Sequence, residues 1–133
     1  MGFTLDSSAL IDVLRGDAKA LRATDELERG GQILVLSTVA AFEVLSGVEY
    51  TRSRLERMRL ETLLSRYRIE PFDQASAQRA AELRAELQRE GRSPGAPDVM
   101  IAGQALAGSH TLVTRDRVLA NAAGSAGLKV VLY

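Results

Sequence analysis

Four consecutive apolar residues, Ile33-Leu34-Val35-Leu36, set the first constraint on the fold. The run does not alternate and has strand length, so it suits a strand covered on both faces. Strands of that kind pair in parallel and need helical crossovers between them. The rest of the chain supplies both. Phe3-Thr4-Leu5, Tyr67-Arg68-Ile69, Thr111-Leu112-Val113 and the segment Leu128 to Leu132 read as further short strands. Between them lie helical patterns: Ala9 to Leu14 stopped by Gly16, and Lys19 to Arg29 closed by Gly30-Gly31. Ser37-Thr38 offers a cap for a helix through Val39 and Leu45, and Asp73 opens the longest helix, to about Glu90. Pro97 opens another, and a short one lies near Val118 to Ala123. The alternation predicts an α/β fold of three layers, α/β/α, around a mainly parallel central sheet. The chain has 133 residues and no repeat, linker or low-complexity segment, so residues 1–133 read as one domain.

Charge and composition remove several functions. The formal net charge is zero, which argues against a nucleic-acid binder driven by charge alone. A local basic rim remains open. The segment Arg52 to Arg68, rich in arginine, reads as one solvated helix with ion pairs such as Glu56 with Arg52, or as a surface for phosphate backbone. There is no cysteine, hence no disulfide, thiolate nucleophile or cysteine-based zinc site. His110 is the single histidine, which argues against histidine-rich metal sites and a Ser-His-Asp triad. No Walker A or Gly-x-Gly-x-x-Gly motif is present. No basic segment followed by a long apolar one stands at the N-terminus, and no apolar run is long enough to span a membrane. A cytoplasmic protein without a membrane partner is the expectation.

Four acids stand out by position. Asp98 is the one formal charge between Arg92 and Arg115, at the start of the apolar run Val99 to Ala107. On a helix it shares a stripe with Ala102 and Ala105, so it lies on the inward face. Taken alone, Asp98 reads as a helix-start residue that the helix dipole keeps ionised. Glu43 is the only charge between Ile33 and Val48, and taken alone it reads as a solvent-facing helix residue. Asp6 follows the first strand, and Asp116 follows the strand Thr111 to Val113. In open parallel sheets the ligand site forms outside the carboxyl ends of the strands, where all four acids would meet. Carboxylates brought together repel, and a divalent cation relieves the repulsion. Oxygen ligands with retained waters point to Mg²⁺, for which Mn²⁺ can substitute. Such an ion activates water and stabilises charge on a phosphoryl group.

These residues carry a resemblance. Leu5-Asp6-Ser7-Ser8-Ala9-Leu10-Ile11-Asp12, then Glu43, then Asp98-Val99-Met100-Ile101-Ala102, then Leu112-Val113-Thr114-Arg115-Asp116 is similar to the pattern of a PIN domain. Within that family the chain most resembles the VapC-type toxins of toxin–antitoxin pairs. The resemblance covers nearly the whole chain; each motif alone is short, and their order and spacing carry it. It implies a metal-dependent endoribonuclease that hydrolyses an RNA phosphodiester with a metal-activated water, leaving a 5′-phosphate and a 3′-hydroxyl. It implies that Asp6, Glu43 and Asp98 form the acidic metal site, with Asp116 as a fourth, more variable position acting through water. It places Ser8 where a small polar residue orients the first Asp, and Thr114 where a small hydroxyl or amide residue stands. A small antitoxin partner and a homodimer are implied as well. The chain departs from the family where an aromatic residue often follows the last Asp; here Val118 and Leu119 stand.

Three other readings of the acids remain. An aspartyl phosphotransfer enzyme would want a second Asp two residues after Asp6, where Ser8 stands. A phospho-accepting receiver domain would want a Lys at the end of the last strand region, whereas Lys129 is read as lying within a strand. A catalytically silent PIN-like interaction module is disfavoured by four filled acidic positions.

Overall fold

The structure, a computed structural model, describes residues 2–133. In chain order the elements are β1 (Phe3–Leu5), α1 (Ser7–Arg15), α2 (Ala18–Arg29), β2 (Leu34–Ser37), α3 (Thr38–Thr51) and α4 (Arg54–Arg66). There follow β3 (Arg68–Glu70), α5 (Gln74–Arg89), α6 (Ala96–Ala107), β4 (Thr111–Thr114), α7 (Arg117–Ser125) and β5 (Val130–Leu132). The strands form one sheet in the order β3-β2-β1-β4-β5. Every pairing in it is parallel.

Helices cover both faces, as the apolar run in β2 requires. Leu5, Leu36 and Val113 share a rung and enter one core with Leu10, Val13, Val44, Leu60 and Leu63. Leu112, one rung below, enters the other core with Ile101, Ala102, Ala105, Leu83 and Leu119. α3 serves both: Val44 and Val48 join the first core and Ala40 the second. The predicted three layers are therefore present.

Two local expectations change. β2 begins one residue later than the apolar run, leaving Ile33 exposed, and ends on the buried Ser37. Ser37 is tolerated there because its hydroxyl bonds Gln104 Oε1 at 2.6 Å. The segment Arg52 to Arg68 is not one helix. Arg52 has φ 55° and ends α3, Ser53 caps α4, and Arg68 belongs to β3. The expected Glu56–Arg52 pair is not made among the described residues, and Glu56 instead accepts from the Thr51 hydroxyl at 3.1 Å. Arg57 pairs with Glu49 of α3 and Arg66 with Glu28 of α2, so these arginines tie α4 to its neighbours.

The lone histidine is accounted for by the fold. His110 is buried, its Nδ1 accepts the Gly2 N–H at 2.8 Å, and its Nε2 lies 2.8 Å from Glu70 Oε1. Accepting a backbone N–H at Nδ1 places the proton on Nε2, which donates to the carboxylate.

α5 and α6 make a close helical pair at Gly103. A Cβ there would lie 2.4 Å from the Ala80 Cα. Replacing a mid-helix glycine by alanine ordinarily stabilises by about 1 kcal/mol. Here backbone blocks the methyl group, so the sign reverses. Gly103→Ala is expected to destabilise by about 2 kcal/mol and lower the melting temperature by roughly 6–10 °C. Thermal unfolding followed by circular dichroism checks this, and an unchanged or raised midpoint would refute the tight contact.

Candidate active site

The carboxyl edge of the sheet gathers the four acids. Asp6 follows β1 and caps α1, so one side chain serves both the helix and the site. It is 1% exposed. Its Oδ1 accepts the Ala9 N–H and the Ser8 hydroxyl, each at 2.8 Å. Its Oδ2 accepts the Thr114 hydroxyl at 2.5 Å. Burial pushes the Asp6 carboxyl above the ordinary value of 3.8; these three hydrogen bonds oppose that, and the charge of Asp116 adds to it.

Thr114, fully buried at the end of β4, links two of the acids. Besides donating to Asp6, its Oγ1 accepts the Asp116 N–H at 3.0 Å. Asp116 caps α7, with Oδ1 accepting the N–H groups of Val118 at 3.0 Å and Leu119 at 3.1 Å. Capping occupies one oxygen and leaves Oδ2 for the site. Glu43, partly buried on α3, is held through Oε1 by the hydroxyl of Ser7. The sequence offers no sign of this bond, because the partners lie 36 residues apart.

Asp98 differs from the others. It sits in the first turn of α6, which Gly95 opens without a side-chain cap, and it is partly buried. Its carboxylate has no hydrogen bond to another side chain among the described residues. The helix start favours the ionised form. Burial, followed by the charges of Asp6, Asp116 and Glu43, pushes its carboxyl above the ordinary value. Burial is the larger cause, and all three acids add to it.

The donor set is entirely oxygen, and the group is open. Among the described residues no three acidic or histidine side chains approach closely enough to cage one ion directly. A small hard cation that keeps most of its waters needs only one or two direct carboxylates, with others reached through water. An unpartnered, half-buried carboxylate repelled by three neighbours fits such an ion. Lys129, the residue the receiver reading needed, lies before β5 rather than within or after it. It is therefore at the end of the strand away from the acids.

A PIN domain model matches residues 3–125. The chain belongs to the PIN domain family. It is 30% identical over 115 residues to the tRNA(fMet)-specific endonuclease VapC of Shigella flexneri, covering 86% of each protein. Its fold superposes on VapBC2 from Rickettsia felis, solved bound to a promoter DNA fragment, with a TM-score of 0.85. That match has 22% identity and covers 100% and 99% of the two chains. A toxin–antitoxin complex from Klebsiella pneumoniae matches with a TM-score of 0.75 and 27% identity, covering 98% and 96%. Asp6 after β1, Glu43 on α3, Asp98 on α6 and Asp116 in the β4–α7 turn lie near enough at this edge for the other three to act on Asp98.

A second cluster escaped sequence reasoning. Asp12 of α1 is buried, accepts the Tyr133 hydroxyl at 2.8 Å, and lies 3.4 Å from Arg115 Nε. Its one signal was an acid placed between Ile11 and Val13, inside the apolar stretch Ala9 to Leu14 of the helix.

Proposed function

We propose that this PIN domain is a Mg²⁺-dependent endoribonuclease and the toxin of a VapBC-like pair. The observation that carries the reading is Asp98: a half-buried carboxylate without a protein partner, repelled by three acids at the edge where parallel sheets bind ligands. The endonuclease activity named for the Shigella relative supports the same reaction class. Asp6, Glu43, Asp98 and Asp116 would hold the ion. When bound, Mg²⁺ or Mn²⁺ supplies an activated water and offsets charge on the phosphoryl group. The chain's own residues do the positioning. Ser8, Thr114 and the Ala9 amide lock the Asp6 carboxylate, and Ser7 holds Glu43. The products would be a 5′-phosphate and a 3′-hydroxyl.

The proposed partners are a small antitoxin and a second copy of the chain. Support comes from the Klebsiella complex and from exposed apolar side chains, Phe42 and Tyr50 on α3 and Leu55 and Met58 on α4. No helix of the described residues is long and apolar enough to cross a membrane. A cytoplasmic location belongs to the same proposal, because that is where its RNA substrate would be met.

The test is incubation of the purified chain with transfer, ribosomal and messenger RNA in Mg²⁺, in Mn²⁺ and in EDTA. Cleavage is expected with either metal and absent in EDTA. No cleavage of any of these RNAs with either metal would leave the silent interaction module as the better reading.

A further inference from the structure

The Asp12 cluster has no part in holding the four acids. Burying a carboxylate is costly unless it is paired and hydrogen-bonded. Here three separate segments supply the pairing: α1 gives Asp12, the β4–α7 turn gives Arg115, and the residue after β5 gives Tyr133.

Arg115 is placed by its neighbours in the sequence, Thr114 and Asp116, which both belong to the acidic site. Its backbone is pinned on each side. The Asp116 N–H bonds the Thr114 hydroxyl, and the Tyr133 N–H bonds the Thr114 carbonyl at 3.3 Å. Asp12 pairs with the guanidinium at Nε, and the Arg115 side chain is 56% exposed. Its terminal nitrogens make no hydrogen bond to another residue among those described. A guanidinium tethered along one edge and open at the other can take two oxygens of a phosphate. Asp6 and Arg115 both act on the Tyr133 hydroxyl, so the cluster borders the acids. A polyanion approaching four carboxylates is repelled, and a fixed cation beside them offsets part of that repulsion.

We propose that Arg115 binds a backbone phosphate of the nucleic-acid substrate beside the acidic site, with Asp12 and Tyr133 as positioning residues that aim its guanidinium. The inference takes the chemical class of the ligand from the nuclease reading and goes beyond it in naming the residue that contacts phosphate.

The test measures binding of a fluorescein-labelled single-stranded RNA oligonucleotide by anisotropy over a series of salt concentrations. Ca²⁺ replaces Mg²⁺ so that binding is read without turnover. Loss of one phosphate contact in Arg115→Gln is expected to reduce the slope of log K against log salt by about 0.7. Affinity at low salt should fall about tenfold. Tyr133→Phe keeps the cation and should keep the slope, while weakening binding a few-fold because the guanidinium is less well aimed. In Mg²⁺, Arg115→Gln should raise KM with little change in kcat. A merely structural arginine would alter the melting temperature and leave the salt slope alone.

An unchanged slope and affinity in Arg115→Gln, or no binding by the wild-type chain, overturns the inference. So does release of a co-purified antitoxin by Arg115→Gln with an unchanged slope, which would assign the arginine to the protein partner. A wild-type chain that binds with an Arg115-dependent slope yet cleaves no RNA in Mg²⁺ removes the nuclease reading and keeps the contact. Active cleavage with an Arg115-independent slope removes the contact alone.

Discussion

Asp98→Asn is expected to slow Mg²⁺-dependent RNA cleavage by orders of magnitude while raising the melting temperature of the metal-free protein. Both effects follow from one removed charge. Burial and the charges of Asp6, Asp116 and Glu43 raise the Asp98 carboxyl, so the folded chain holds its proton more tightly than the unfolded chain does. Stability of the apo protein therefore falls as pH rises from the ordinary value of 3.8 through the raised one. Asn carries no charge and escapes that loss. The advantage of the variant should be largest at neutral pH and shrink as the pH falls towards the ordinary value. Added Mg²⁺ should reverse the ranking, because an ion that binds only the folded state stabilises the chain with the stronger ligands. A plain helix-start residue behaves otherwise. Gly95, not Asp98, occupies the cap position of α6, so Asn would change neither stability nor cleavage noticeably. Melting curves with and without Mg²⁺ at two pH values, alongside cleavage rates, decide the matter. Wild-type cleavage by Asp98→Asn would end the assignment of this residue.

The fold was legible because its signals are local. The unbroken apolar run before Ser37 demanded cover on both sides, and capping residues marked where two helices start: Ser37 and Asp73 are caps in the structure. Isolation in apolar sequence marked the acids, since a charge among apolar neighbours must be buried with partners or face a site. What the sequence hid is partnership across distance. Ser7 and Glu43 meet only because α1 and α3 pack side by side, and Asp12 finds Tyr133 from 121 residues away. Composition likewise suggested one basic helix from Arg52 to Arg68, whereas a left-handed residue at Arg52 breaks it. The pKa direction of Asp98 also needed three dimensions. A helix start favours the ionised form; the fold adds burial, the larger effect, to the repulsion that clustered acids lead one to expect.

The same substitution at two buried threonines on one face of the sheet should have opposite effects. Thr4 sits on the same rung as Leu112 of β4, and Thr114 lies two residues further along that strand. Both are fully or almost fully buried. The Thr4 hydroxyl has no hydrogen-bond partner among the described residues, so it carries a desolvation cost that nothing offsets. Thr4→Val keeps the shape, removes that cost, and should stabilise by about 1 kcal/mol without affecting cleavage. The Thr114 hydroxyl donates to a buried carboxylate at 2.5 Å and accepts the Asp116 N–H. Thr114→Val strips Asp6 of one of three donors and leaves the Asp116 amide without its acceptor. The expected loss is about 3 kcal/mol at neutral pH, because the bond is to a charged group that stays buried. Its sign with pH is fixed: losing a donor raises the Asp6 carboxyl further, so the deficit narrows as the pH falls and the group takes up a proton. Cleavage should drop with it, since Asp6 and Asp116 both lose the atom that sets their positions. Chemical denaturation of the two variants at neutral and acidic pH measures the contrast. Equal and same-signed shifts would mean that Thr114 merely fills space at the end of β4.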